Sequence, residues 1–181
     1  MADLLSADVH KMTTWSIVLS ALMIVAGVLA IGLPLLAGVA VTALVGWLLV
    51  FSGLLHVGLA WRTRRAKSVV WQILLGLLYG GIGFYLLASP VAGLTSLTLA
   101  IAFYLSIEAM LEFVLFFRLR PAAGSGWLLF DGVVTLILAV MIWSTWPSSA
   151  AWAVGTLIGI SMFFSGITRL MLSLAVRRML A

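Results

Sequence analysis

Cysteine is absent from this 181-residue chain, which excludes disulfides, thiolate metal sites and cysteine nucleophiles. Charge is nearly as scarce. Charged residues make up 8% of the sequence and hydrophobic ones 65%, against roughly 25% charged in soluble domains, and the mean hydropathy is +1.29. Such a chain has too little polar surface to face water and reads as an integral membrane protein. Its five acidic residues and two histidines show no metal-ligand spacing, so the usual zinc and di-iron constellations are excluded and no cofactor is expected. No glycine-rich phosphate loop precedes a Lys-Ser/Thr pair, and no Gly-x-Ser-x-Gly occurs. Ser52 and His56 stand one helical turn apart without a positioned acid partner. The sequence therefore predicts no enzyme. The net charge is +5, yet the basic residues lie in short connections between apolar runs, where they set topology and offer no patch for nucleic acid.

What is present is a series of apolar runs at residues 15–31, 35–60, 68–87, 91–117, 127–143 and 149–174, each long enough to cross a bilayer. The fold class is an all-α membrane protein with six transmembrane helices. Residues 1–14 hold Asp3, Asp8, His10 and Lys11 among Leu4, Leu5, Val9 and Met12, read either as a short interfacial helix or as a frayed polar tail, and not as a signal peptide. The turns around Pro34, Pro90 and Pro147 carry no charge, and proline suits the first helical position, so each is expected to open an even-numbered span. The opposite connections carry Arg62, Arg64, Arg65 and Lys67, then Arg118 and Arg120. With Lys11, Arg177 and Arg178, nine of the ten basic residues fall on the side shared by both termini, which the positive-inside rule makes cytoplasmic. Trp15, Trp61, Trp71 and Trp127 would form the aromatic belt of that side.

The landmarks repeat. Trp15, Trp71 and Trp127 are 56 residues apart, and Pro34, Pro90 and Pro147 are separated by 56 and 57. The transmembrane domain, residues 15–178, thus divides into three tandem helix hairpins, 15–67, 68–126 and 127–178. Each has an even number of spans, so they insert as parallel repeats and predict a pseudo-threefold bundle. Ser20, Gly76 and Gly132 align, as do Gly27, Gly83 and Ala139 one heptad on, giving the odd spans a face of small residues suited to close helix approach.

Alignment on the prolines brings together Leu48, Ser52 and His56, then Tyr104, Glu108 and Glu112, then Ser161, Ser165 and Arg169. Steps of four keep side chains on nearly one helix face, so each even span carries a polar stripe in common register. Ionisable groups in lipid are costly and mark functional sites by default. By helix rise Glu112 lies about 9 Å and Glu108 about 15 Å inward of Arg118, with Asp131 about 6 Å from the same border. The candidate site is an intramembrane polar cluster of His56, Glu108, Glu112, Asp131 and Arg169, with Ser52, Tyr104, Ser161 and Ser165 as stripe neighbours. Glu112 is expected beside Arg169 and His56, which leaves Glu108 without a counter-charge and makes it the better candidate for a proton switch. In the bland alternative Glu112 and Arg169 snorkel to the headgroups and His56 bonds to a carbonyl. Three carboxylates and one guanidinium sum to minus two, and such an excess does not stay fully ionised out of water, so the cluster is expected to respond to protons.

Three hairpins of this form, with spans ending in Gly53-Leu-Leu-His56 or Gly166-Ile-Thr-Arg169 before a basic end, resemble the HdeD family of acid-resistance membrane proteins. The resemblance covers about residues 15–178. It implies a bacterial inner-membrane protein with a part in survival of acid stress, and it supplies no catalytic residues. Two functional classes follow: a non-enzymatic stress protein whose bundle responds to protonation, or a small proton or ion conductor or transporter lined by the stripes. The outer half of the even spans offers mainly threonines and serines, which leaves a conducting path incomplete. Beyond the lipid bilayer, the partners to consider are a second copy of the chain or a larger membrane complex, held by the glycine-rich odd faces.

Overall fold

The computed structural model describes residues 2–62, 66–120 and 125–179. The basic connection at residues 63–65 therefore lies outside the described residues. Six long helices account for almost all of the described chain: α1 (Ala2–Gly32), α2 (Pro34–Arg62), α3 (Ala66–Ala88), α4 (Pro90–Leu119), α5 (Ser125–Ser144) and α6 (Ala153–Met179). All six contain stretches long and apolar enough to cross a membrane. The residues before Thr14 continue α1 without a break in the backbone.

Pro34 and Pro90 are the first residues of α2 and α4, where a missing N–H costs nothing. Pro147 departs from this expectation. It precedes a 3-10 turn over Ser148–Ala151, and α6 begins only at Ala153. The third Trp-to-Pro interval is one residue longer than the others. The slack is taken up locally, because the Ser149 hydroxyl donates to the Ile142 carbonyl at 3.0 Å and the Trp152 N–H to the Ser149 carbonyl at 3.1 Å.

The chain forms two compact units, residues 1–37 with 154–181, and residues 38–153. In the first, α1 packs on α6. A Cβ placed on Gly27 would lie 2.7 Å from the Phe163 amide nitrogen and 2.8 Å from the Gly159 carbonyl oxygen. One placed on Gly166 would lie 3.1 Å from the Ser20 carbonyl oxygen, and the hydroxyls of Ser16 and Ser173 meet at 2.7 Å. Backbone touches backbone across this pair. In lipid no hydrophobic drive joins two helices, so contact area gained through close approach has to do so.

The second unit holds two more such pairs. A Cβ on Gly53 of α2 would lie 2.7 Å from the Gly76 carbonyl oxygen of α3, and one on Gly83 would lie 2.7 Å from the Gly46 carbonyl oxygen. Between α4 and α5, Gly132 faces the Ala109 carbonyl oxygen at 3.6 Å from its Cβ position, while Ala102 and Ala139 are fully buried. The contacts Gly53 to Gly76, Ala109 to Gly132 and Gly166 to Ser20 occupy equivalent places in the repeat. Each even span therefore packs on the odd span that begins the next repeat, and α6 packs on α1. Gly27, Gly76, Gly83 and Gly132 of the odd spans each meet a neighbouring helix of the same chain.

Two buried threonines inside the second unit are satisfied locally. Thr42 and Thr98, both fully buried, donate to the carbonyls of Gly38 and Leu94 four residues back, each at 2.8 Å, as expected where no water can serve them. Thr42 and Leu86 also enclose Gly93, joining α2, α3 and α4 at that level. Trp15, Trp61, Trp71 and Trp127 are all exposed, consistent with a belt at the membrane surface.

Candidate functional site

The polar groups converge most closely between α4 and α5. Glu112 sits on the face of α4 that α5 covers, because Gly132 and the fully buried Ala109 let the two backbones draw together there. The Cβ position of Gly132 is 3.2 Å from the Glu112 Cβ and 3.5 Å from its Oε2. The Glu112 carboxyl faces the side chains of Asp131 and Thr135 on α5, with Glu108 one turn back on its own helix. Oε2 is enclosed and makes no hydrogen bond. An enclosed acceptor beside a second carboxyl is costly as long as both groups are ionised, since neither then has a proton to donate.

Glu108 and Glu112 are both half-buried as whole residues, but the Tyr104 hydroxyl donates to the Glu108 Oε1 at 3.4 Å. The enclosed oxygen thus belongs to Glu112, although helix rise alone favours the deeper Glu108. His56 follows the bland alternative, with Nδ1 donating to the Ser52 carbonyl at 2.8 Å. Its ring also meets Tyr79 of α3 edge-on, with centroids 5.3 Å apart. Ser161, Ser165 and Arg169 lie in α6, in the other unit, and all three are exposed there. Within its own unit each stripe residue is described with these neighbours: Glu112 is brought together with Glu108 and Asp131, and His56 with Tyr79.

Sequence reasoning missed three partners. Thr135 and Tyr79 stand 56 residues apart, as do Glu112 and His56, so one packing register places His56 against Tyr79 and Glu112 against Thr135. The repeat held that signal. The third partner is Trp143, whose Nε1 donates to the Ser106 hydroxyl at 3.3 Å while its ring meets Phe103 edge-on at 4.7 Å. Together with the Trp146 Nε1 bond to the Thr95 carbonyl at 3.4 Å, these contacts fasten the far end of α4 to α5 and its following turn. At the site end, Asp131 breaks the repeat, because its counterparts are Leu19 and Leu75. The acid pair therefore exists in one of the three helix pairs.

Among the described residues no group of three or more His, Cys, Asp or Glu could hold a metal ion.

Comparison with known proteins places this geometry in a family. A family model described as a short repeat of unknown function (DUF308) matches three times in tandem, at residues 18–88, 81–144 and 142–180. Protein HdeD of Escherichia coli strain K12 is 29% identical over 152 residues, covering 81% of this chain and 78% of that protein, and the same figures hold for Protein HdeD of Shigella flexneri. No solved structure matches. Three matches that together span nearly the whole chain, on six apolar helices paired by a repeating contact, show that this protein belongs to the DUF308 repeat family.

Proposed function

We propose that this chain is a non-enzymatic, multi-pass protein of a bacterial inner membrane that acts in resistance to acid stress, with both termini in the cytoplasm. Its proton-responsive element is the Glu112 and Asp131 pair, with Glu108 one turn away on α4. The similarity to Protein HdeD supports the setting, and the side of the basic residues supports the orientation. The observation that carries the mechanism is the enclosed Glu112 Oε2, which faces a second carboxyl and makes no hydrogen bond. One added proton turns two repelling carboxylates into a donor and an acceptor, so acid draws α4 and α5 together. The bundle is then tightened by the condition it has to withstand.

A small proton conductor would use the same acids, but conduction needs polar groups free to hand protons along the whole path. Thr42 and Thr98 spend their hydroxyl protons on their own helices, which favours the stabilising role. Proton flux into liposomes containing the purified protein separates the two. We expect no leak above that of empty liposomes, in either the native protein or Glu108→Gln. A leak present in the native protein and abolished by Glu108→Gln would overturn the stabilising role in favour of conduction.

A further inference from the structure

Arg169 lies within α6, eight residues before Arg177, and so about 12 Å inward of that basic end. It is exposed, and among the described residues it forms no ion pair. Ser165 and Ser161 continue its stripe at about 18 and 24 Å by the same rise. Both are exposed, and neither hydroxyl has a hydrogen-bond partner among the described residues. Ser96 and Thr168, exposed as well, instead donate to the carbonyls of Ala92 and Phe164 at 3.1 and 3.0 Å, the usual way a hydroxyl is served away from water.

The stripe is not the face that packs on α1. Gly159 and Gly166 meet α1, and the centre of the stripe lies about 110° round the helix from them at 3.6 residues per turn. Snorkelling answers for Arg169 alone. A headgroup draws a guanidinium back towards the membrane surface, but it does not reach two serines one and two turns deeper. A polar helix laid along the stripe serves all three side chains, as intramembrane polar groups serve one another between helices.

The chain carries the complement. Glu112 faces Asp131 on α5, whereas Glu108 is half-buried beside the exposed Tyr104. Measured inward from Arg118, Glu108 and Tyr104 lie at about 15 and 21 Å. Set beside α6 at equal depth, a carboxyl at the Glu108 level falls between Arg169 and Ser165, and a hydroxyl at the Tyr104 level between Ser165 and Ser161. Even-numbered spans all run the same way through the membrane, so two copies inserted in one orientation bring these helices together in parallel.

We propose that the Ser161, Ser165 and Arg169 face of α6 docks on α4 of a second copy of this chain, where Arg169 pairs with the partner's Glu108 and the serines meet the partner's Tyr104. Opposite charges fix the register of the two helices, and about a twofold axis the contact forms twice. The proposal stands apart from the Glu112 and Asp131 pair, which keeps its own test.

The chain has no cysteine, so introduced cysteines report the contact without background. Two differently tagged full-length copies, one carrying Ser165→Cys and the other Tyr104→Cys, are co-expressed and oxidised in their native membranes. We expect a disulfide-linked heterodimer, and at least fivefold less of it when Ser96→Cys, about 12 Å further along α4, replaces Tyr104→Cys. Arg169→Gln in both copies should cut the yield at least fivefold, and the loss caused by Arg169→Glu should be restored by adding Glu108→Arg. Ser161→Leu, a second block from an exposed position, should act as Arg169→Gln does and replaces it should that variant fail to fold. Absence of the heterodimer overturns the proposal, as does a yield untouched by both blocks. A disulfide that forms only when both cysteines stand in one chain, and leaves it monomeric, would give the stripe a partner within the same chain and overturn the proposal as well.

Discussion

Leucine at Gly53 or at Gly27 is expected to destroy the helix pair that each residue joins, and alanine at either position to destabilise it by about 1 to 3 kcal/mol. At Gly53 an added Cβ would sit 2.7 Å from both the Gly76 carbonyl oxygen and the Gly80 amide nitrogen. Those are backbone atoms, and they move only if α3 moves as a whole. At Gly27 the obstacle is again backbone, in Phe163 and Gly159. Gly132→Ala should cost less, below about 1 kcal/mol, because its nearest neighbour, the Glu112 Cβ, is 3.2 Å away, and a shift of a few tenths of an ångström between the helices relieves the contact. Gly81→Ala meets nothing and should be neutral or stabilising by up to about 1 kcal/mol, the ordinary gain in helix propensity. Reversible unfolding of the detergent-solubilised variants measures the series. The argument requires the order Gly53 and Gly27 worst, Gly132 intermediate, Gly81 neutral or better. Equal effects at all four positions would show that helix propensity, and not close approach, governs them.

Much of this architecture is legible in the chain because its causes are compositional. Apolar length gives the six spans, and the 56-residue spacing of Trp15, Trp71 and Trp127 gives the repeat. Pro34 and Pro90 mark helix starts through a backbone property that needs no tertiary context. Pro147 misleads because one additional residue lets the chain insert a 3-10 turn, anchored by a serine hydroxyl whose acceptor, the Ile142 carbonyl, lies seven residues back. Small residues at Gly27 and Gly83 announce a close-packed face but not which helix covers it. That choice depends on how the loops let the hairpins meet. The acids show the same limit. Depth along the helix says how much an ionised group costs, which singles out Glu108, whereas the structure encloses Glu112 because Gly132 happens to face it. Cost is written along one helix; enclosure is a property of two.

Raising the pH is expected to loosen α4 from α5. The groups that face Glu112 are Glu108 on its own helix, and Asp131 and Thr135 on α5. No positive charge is among them, so full ionisation leaves like charges side by side with one enclosed oxygen unserved. A proton on either carboxyl lets it donate to the other, so contact between the two helices is expected to weaken as pH rises. Hydrogen exchange of the α5 amides across mild acid to mild base, in the native protein and in variants, reads this slope directly. Asp131→Leu installs the residue that the other two repeats carry as Leu19 and Leu75. It removes the repulsion, and should flatten the slope and stabilise the pair on the alkaline side by on the order of 1 kcal/mol. Glu112→Gln should flatten it too, while Glu108→Gln should keep most of it, because Glu108 lies on the same helix as Glu112 and already accepts the Tyr104 hydroxyl. A slope abolished by Glu108→Gln and untouched by Asp131→Leu would place the switch one turn deeper and sink the Glu112 and Asp131 pair as its seat.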